Sequence, residues 1–372
     1  MQRFRLAHAR GENAADVTAA CLAQLGTVPA SASLGFVYAT DALAPALGDV
    51  LARLQRATPH VSWIGTVGVG VVATAQEYYE QPALAVMVGE FPPDSFRTMP
   101  SQHAAVDEYV DGIADWLAQN PSYFGIVHAD PTNHTTPAIL EQLATRVPGA
   151  FLVGGLTSAH RHHVQIADTL AVGGVSGVLF APEVAVVVSH TQGCTPIGPV
   201  HRITGCERNI LRELDGRPAL EVFKEDIGEV MARDLARVGG YIFAAFPIVG
   251  SDTGDYVVRN LLGIDRERQW LAIGDYLAPG RQLMFCRRDG NSARADLERM
   301  LVDLKRRQGA NPKGAVYYSC LGRGRHQFGG DSAELKLIAD ALGDLPLVGF
   351  FANGEIFHNR LYAYTGVLSI FC

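Results

Sequence analysis

Three short runs decide the fold: Ile64-Gly65-Thr66-Val67, Val153-Gly154-Gly155-Leu156 and Val348-Gly349-Phe350-Phe351. Each sets a glycine after an apolar residue inside what reads as a buried strand, where a glycine marks the close approach of another backbone or of a ligand. Outward from each run the same order of elements recurs: helix, strand, helix, strand, strand. The first copy takes Ala14 to Leu25, Leu34 to Ala39, Ala42 to Gln55, Val61 to Val67 and Ala83 to Gly89. The second takes Ala104 to Ala118, Tyr123 to Ala129, Thr136 to Val147, Phe151 to Leu156 and Val175 to Ala181. The third takes Ser292 to Arg307, Ala315 to Leu321, Ser332 to Leu342, Leu347 to Ala352 and Tyr362 to Phe371.

Short apolar runs alternating with amphipathic helices give an α/β chain whose sheets are covered by helices. The sheets are expected to be mixed, because the last two strands of each α-β-α-β-β unit lack a helical crossover. Two halves follow: residues 1–190 with two units, and residues 191–372 with a crossover segment and the third unit. The crossover, Ser189 to Gly290, opens on Gly193-Cys194-Thr195-Pro196-Ile197-Gly198-Pro199. Asp215-Gly216 signals a turn, Pro218 suits the first helical position of a helix from Ala219 to Val238, and Tyr241 to Val249, Tyr256 to Ile264 and Leu283 to Arg287 read as strands. That segment reads as a degenerate fourth unit.

Composition fits a folded chain: of 372 residues 48% are hydrophobic and 19% charged, and the 39 glycines and 19 prolines are scattered. A net charge of -7 with no basic stripe argues against a nucleic-acid partner. The run Lys305-Arg306-Arg307 closes a predicted helix, where cations complement the dipole. The six cysteines form no C-x-x-C pair, so neither a disulfide framework nor a structural zinc is expected. Met1 to Arg10 is not followed by an apolar run and no stretch reaches membrane-spanning length, so a cytoplasmic chain with no membrane partner is expected.

Several motifs have plainer readings. Gly68-Val69-Gly70-Val71-Val72-Ala73, with Glu90 downstream, matches a dinucleotide fingerprint, but the polar stretch from Thr74 to Gln81 cannot supply the helix a pyrophosphate needs; a glycine-rich bend is the better reading. His160, His162 and His163 cluster without an acidic partner in sequence and read as a surface loop. No nucleophile elbow, zinc-protease pair or phosphate loop occurs.

The C-terminal constellation is richer. Cys320-Leu321-Gly322-Arg323-Gly324-Arg325-His326-Gln327-Phe328-Gly329-Gly330 follows the first strand of the third copy, and Phe351-Ala352-Asn353-Gly354-Glu355-Ile356 follows its second. If those strands lie side by side and parallel, both loops leave the sheet at its carboxyl edge, where open α/β sheets bind ligands. Arg323, Arg325, Asn353 and Glu355, with Cys320 and Phe328 in the first loop, would then converge: a guanidinium for a carboxylate, a carboxylate for an amine, an amide for either. The plainer reading pairs one arginine with Glu355 to tie the loops. Cys320 beside Arg323 and Arg325 is a candidate thiolate for a hydrolase or transferase, activated by His326 or an arginine, against the commoner reading of an inert buried cysteine.

These stretches carry a family resemblance. Gly193 to Pro199, Leu214-Asp215-Gly216-Arg217-Pro218-Ala219, Cys320 to Gly324, and Gly349 to Ile356 with Tyr364-Thr365-Gly366 make the chain resemble FIST proteins over nearly its whole length. The resemblance implies a non-catalytic sensory protein that binds small ligands, amino acids among those proposed, and feeds histidine kinases, chemoreceptors or cyclic-dinucleotide enzymes. No such domain has room here, so a separate partner is expected. Some relatives are similar to haem-based nitric-oxide sensors, which makes haem an alternative cofactor, with His160, His162, His163, His326 and His358 as the available imidazoles; otherwise no cofactor or metal is expected.

Overall fold

A computed structural model describes residues 3–120, 124–147, 149–235, 238–248, 255–309 and 311–372. Two compact units result: Met1–Gln192 with Arg294–Cys372, and Gly193–Ala293. The third copy of the repeat therefore belongs to the same unit as the first two.

The first copy is β1 (Arg5–Arg10), α1 (Ala14–Leu25), β2 (Leu34–Thr40), α2 (Leu47–Ala57), β3 (Ser62–Gly68), β4 (Gly70–Ala73), β5 (Gln76–Tyr79) and β6 (Ala83–Gly89). The second is β7 (Phe96–Gln102), α3 (Asp107–Gly112), α4 (Ala114–Gln119), β8 (Phe124–Ala129), α5 (Thr136–Arg146), β9 (Phe151–Leu156), β10 (Gln165–Ala167), β11 (Thr169–Ala171) and β12 (Val175–Phe180). Tyr123, expected to open β8, lies outside the described residues. The third copy begins at β13 (Val186–Gln192). The second unit interrupts it with β14 (Cys194–Glu207), β15 (Ile210–Leu214), β16 (Arg217–Pro218), α6 (Ala219–Ala232), β17 (Ile242–Pro247), β18 (Tyr256–Asp265), β19 (Trp270–Ile273) and β20 (Gln282–Arg288). The copy resumes with α7 (Gly290–Arg307), β21 (Gly314–Cys320), α8 (Ala333–Leu342), β22 (Leu347–Ala352), β23 (Glu355–Phe357), β24 (Arg360–Tyr362) and β25 (Thr365–Phe371).

Local chemistry sets the helix ends. Asn13 caps α1 by accepting from the Asp16 N–H at 3.0 Å, and Gly26 ends that helix at φ 62°, where a side chain would be strained. The expected helix from Ala104 to Ala118 is instead two short helices that meet at Ile113, whose φ and ψ are -113° and 14°.

Each copy is thus larger than the α-β-α-β-β unit read from sequence: a strand precedes it and a hairpin interrupts it. The three sheets run β1-β6-β2-β3-β10-β11, β7-β12-β8-β9-β23-β24 and β13-β25-β21-β22-β4-β5. Every copy gives its hairpin away. The first hands β4 and β5 to the sheet of the third, the second hands β10 and β11 to the first, and the third hands β23 and β24 to the second. The exchange closes a ring, and Gly68-Val69-Gly70 is the bend by which the chain passes from one sheet to another. Among the described residues, the parallel pair in each sheet is β2–β3, β8–β9 or β21–β22, which gives the mixed sheets expected.

The register explains the glycine that recurs in β3, β9 and β22. Gly65, Gly154 and Gly349 stand opposite Val37, Val127 and Tyr317. A Cβ on any of them would sit 1.7–1.8 Å from the facing carbonyl oxygen. One residue along, Tyr38, His128 and Tyr318 occupy matching places in β2, β8 and β21 and meet in the middle: the Tyr38 hydroxyl lies 2.8 Å from that of Tyr318 and 3.2 Å from His128 Nε2. Burial holds His128 down at about 3, so it is neutral. The inner faces of all three sheets share one apolar core, while outer faces pack under their own helices in three further clusters.

Within Gly193–Ala293 every strand pairing is antiparallel, in a seven-stranded sheet carrying α6. The segment is therefore not the degenerate fourth unit expected: a β-α-β crossover needs parallel strands, and among the described residues none is here. The helix expected to reach Val238 stops at Ala232, bent at Gly228, and the Val249 end of the expected strand lies outside the described residues.

Candidate functional site

β21 and β22 are parallel neighbours, with Cys320 opposite Ala352, so the loops after them leave the sheet at the same carboxyl edge. Arg323 does not meet Glu355 in an ion pair. It is fully buried, with Nε and Nη2 each 2.8 Å from Glu334 Oε1. Glu334, in the first turn of α8, also accepts from the Tyr317 hydroxyl at 2.6 Å, the Ser319 hydroxyl at 3.1 Å and the Gly324 N–H at 2.9 Å. Phe328, half-buried, lies over the guanidinium, its ring centre 4.9 Å from Cζ. Arg323 Nη1 has no hydrogen-bond partner.

Arg325 turns outward. It pairs with Glu80 and lies 4.4 Å over the Tyr79 ring, both from the first copy's donated hairpin. The expected tie between an arginine and Glu355 is thus replaced by two others, because α8 offers Glu334 to Arg323 and the exchanged hairpin brings Glu80 to Arg325. Asn353 is exposed, and its main-chain N–H donates to Leu156 O at 3.0 Å.

Glu355 is fully buried at the start of β23. Its Oε2 accepts from the Thr365 N–H at 3.1 Å and the Thr365 hydroxyl at 2.7 Å. The weakly donating Cys320 thiol also faces this carboxyl, but no donor bonds Oε1. Burial pushes Glu355 up to about 8, against the pull of Thr365 and of the Arg323 charge. The hairpin contributes a second such group: Glu77, buried and accepting from the Tyr79 hydroxyl at 2.8 Å, is pushed by burial up to about 7.

Cys320 is no thiolate. Burial, then the neighbouring Glu355 carboxyl, drive its thiol well above the ordinary cysteine range, and the arginine offsets little of this. The expected activation fails because Arg323 spends its charge on Glu334. All six cysteines are free. The histidines fall on three loops: His160 bonds Asp41 in the run from β9 to β10 that also holds His162 and His163, His326 ends a turn after β21, and His358 sits between β23 and β24. Among the described residues no group of three or more His, Cys, Asp or Glu side chains is placed to hold a metal ion, and no helix is long and apolar enough to cross a membrane.

The place of Glu355 in the repeat predicts its behaviour. Glu355 faces Gly155 as Gln165 faces Thr66, so the second copy carries an amide at the matching position; Gln165 donates to Gly174 O at 2.9 Å and accepts from Ser176. A carboxyl raised above its unfolded value contributes stability that is complete below about 4.5 and is lost as pH rises through about 8. Glu355→Gln should therefore raise Tm at pH 8 by roughly 3–6 °C and leave it nearly unchanged at pH 5. Equal shifts at both pH values would refute the buried-acid account.

Most of the chain matches one pair of domains: the FIST N domain over residues 33–217 and the FIST C domain over residues 219–358. The protein belongs to the FIST family. FIST domains are small-ligand sensory domains of signalling proteins. The boundary between the two matched regions falls inside the Gly193–Ala293 unit. The uncharacterized protein Rv0628c of Mycobacterium tuberculosis is 31% identical over 358 residues, covering 89% of this chain and 91% of the relative. Mb0898c of Mycobacterium bovis, also an uncharacterized protein, is 28% identical, covering 91% and 90%. Among solved structures, T. maritima PurL complexed with ATP is 12% identical over 99% of this chain and 71% of that one, at a TM-score of 0.23, a likeness too slight to argue from.

Proposed function

We propose that this FIST protein is a cytoplasmic sensor that takes a small zwitterion, an amino acid being the simplest, between Arg323 and Glu355, and reports it to a separate signalling partner such as a histidine kinase or a cyclic-dinucleotide enzyme. One observation carries the reading: two fully buried groups of opposite charge type at one sheet edge each keep a polar atom without a partner, Arg323 Nη1 and Glu355 Oε1. Leaving such atoms unbonded costs about 1–3 kcal/mol each, and a ligand carboxylate and ammonium would recover it. Entry requires the 321–330 loop to open. Gly324 at φ 51° and Gly329 at φ 93° give that loop joints that other residues would stiffen.

An ammonium beside Glu355 favours its ionised form. Binding below about pH 8 therefore releases a proton, and affinity rises with pH over that range. The test is a thermal-shift screen of the common amino acids and small organic acids, followed by titration calorimetry of any hit in two buffers of different ionisation enthalpy. The reading expects a hit that releases a proton and that loses its stabilising effect in Arg323→Lys and in Glu355→Gln. A screen with no stabilising compound, or a hit indifferent to both substitutions, would sink it.

A further inference from the structure

A cleft lies at the other end of the sheets, away from the loops after β21 and β22. It encloses about 550 Å³, within the range of small-molecule sites. Phe124 and Phe151 line it. They are register partners at the amino ends of β8 and β9, and although each ring packs on another, Phe124 on Phe180 and Phe151 on Phe357, both residues border the floor of the cleft. Arg307, Gln308 and Cys372 complete the wall opposite the start of β13.

The cleft exists because the repeat departs from itself there. Between the first and second copies the connection Glu90-Phe91-Pro92-Pro93-Asp94-Ser95 drives Phe91 into the centre, with its ring 5.2–6.5 Å from those of Phe4, Phe36, Phe96, Phe180 and Phe371. Between the second and third copies the connection is Ala181-Pro182-Glu183-Val184-Ala185, which has no aromatic residue to act as that plug. Gln308 lines the resulting space, nine-tenths buried, and its Oε1 is closed off from solvent with no hydrogen-bond partner, so a ligand donor reaches it by a turn of the side-chain amide. A buried acceptor left unbonded in a native fold calls for a donor, from a ligand or from water. Arg307 stands at the mouth, 42% exposed. Asp303 and Val188 O occupy its Nε and Nη2, which leaves the Nη1 edge for an anion.

We propose that this cleft binds a planar aromatic acid with a ring hydroxyl or N–H: the ring packs on Phe124 and Phe151, the ring donor bonds Gln308 Oε1, and the acid group meets Arg307. The requirements are separable. The floor demands a flat apolar ring, the orphaned amide oxygen demands a donor rather than an acceptor, and the guanidinium demands an anion. An aliphatic acid meets only the last.

The experiment titrates the full chain with 4-hydroxybenzoate and indole-3-acetate, with cyclohexanecarboxylate as the non-aromatic control. At least one aromatic acid should bind with Kd below about 1 mM and roughly tenfold tighter than the control. Gln308→Leu and Arg307→Ala should each weaken binding roughly tenfold, while Arg323→Lys should leave it unchanged, which separates this cleft from the site at the carboxyl edge. A second readout needs no variant: the bound aromatic acid should slow maleimide labelling of Cys372, followed by peptide mass spectrometry, in the unaltered protein. If neither aromatic acid outbinds the control, or if binding survives both substitutions without protecting Cys372, the proposal falls.

Discussion

Gly349→Ala should leave almost no folded protein. The added Cβ would lie 1.7 Å from the carbonyl oxygen and 2.7 Å from the carbonyl carbon of Tyr317, in the parallel neighbour β21. Both atoms belong to backbone that is hydrogen-bonded on either side, so no rotamer change relieves the contact. The strands must separate, and that costs ladder bonds together with the packing of Tyr317 and Phe350, which are fully buried on either face. We expect a loss of about 4 kcal/mol or more, enough to consume most of a typical domain's stability. Gly330→Ala, at an exposed loop position with nothing within 4 Å of the new methyl, should stay within about 0.5 kcal/mol of the parent. Urea unfolding of the two variants checks this, and an unfolding midpoint for Gly349→Ala equal to the parent's would mean that β21 and β22 do not approach so closely. Gly65→Ala and Gly154→Ala should fail in the same way, since the same contact recurs at 1.7 Å and 1.8 Å.

That threefold recurrence is why so much of the fold was legible. A strand that keeps a glycine at one register position against two apolar neighbours states a local geometric demand, and local demands are what a sequence displays. The helices showed themselves through their apolar stripes, and β2, β8 and β21 through unbroken apolar runs. The hairpins did not. Val71-Val72-Ala73 and Glu355-Ile356-Phe357 are too short to show a period, and nothing in them names Gly349 or Gly154 as the partner. Pairing between distant segments is a property of the closed ring and has no local signature. The leading strands β1, β7 and β13 were missed for the same reason, each lying beside a strand at the far end of its copy.

The site follows this division. Arg323 and Glu355 were legible as polar residues in glycine-rich loops beyond buried strands. Glu334 was not, because a carboxylate in the first turn of an amphipathic helix ordinarily reads as a solvated group that complements the dipole. The available signal lay in β21, where Tyr317 and Ser319 put two hydroxyls on one face of a strand otherwise fully buried. Two hydroxyls on one buried face require an acceptor, and the next helix held the nearest candidate. Glu77, Tyr79 and Glu80 could not have been found without the hairpin exchange that delivers them.

The ion pair so formed carries the second large effect. Arg323→Ala should destabilise the protein by about 3–5 kcal/mol, because it strands the Glu334 carboxylate in a site from which water is excluded. Tyr317, Ser319 and the Gly324 N–H would remain as donors, but none supplies a charge, and the nearby Glu77 carboxyl adds repulsion if it ionises. Arg323→Lys keeps the charge and loses the fork, so it should fall between the parent and Arg323→Ala. The diagnostic variant is the double one. If the pair is a structural tie alone, Arg323→Met with Glu334→Leu removes both charges at similar volume and should recover part of the loss, the recovery being limited by the Tyr317 and Ser319 hydroxyls and the Gly324 N–H that lose their acceptor. The same double variant should give no thermal shift with any amino acid that stabilises the parent, because the guanidinium that would receive the ligand carboxylate is gone. A variant that is stable and unresponsive separates the structural duty of Arg323, holding α8 against β21 through Glu334, from the proposed one, receiving a ligand carboxylate at Nη1. Retention of the ligand response would assign Arg323 the first duty only and send the search for the binding site elsewhere.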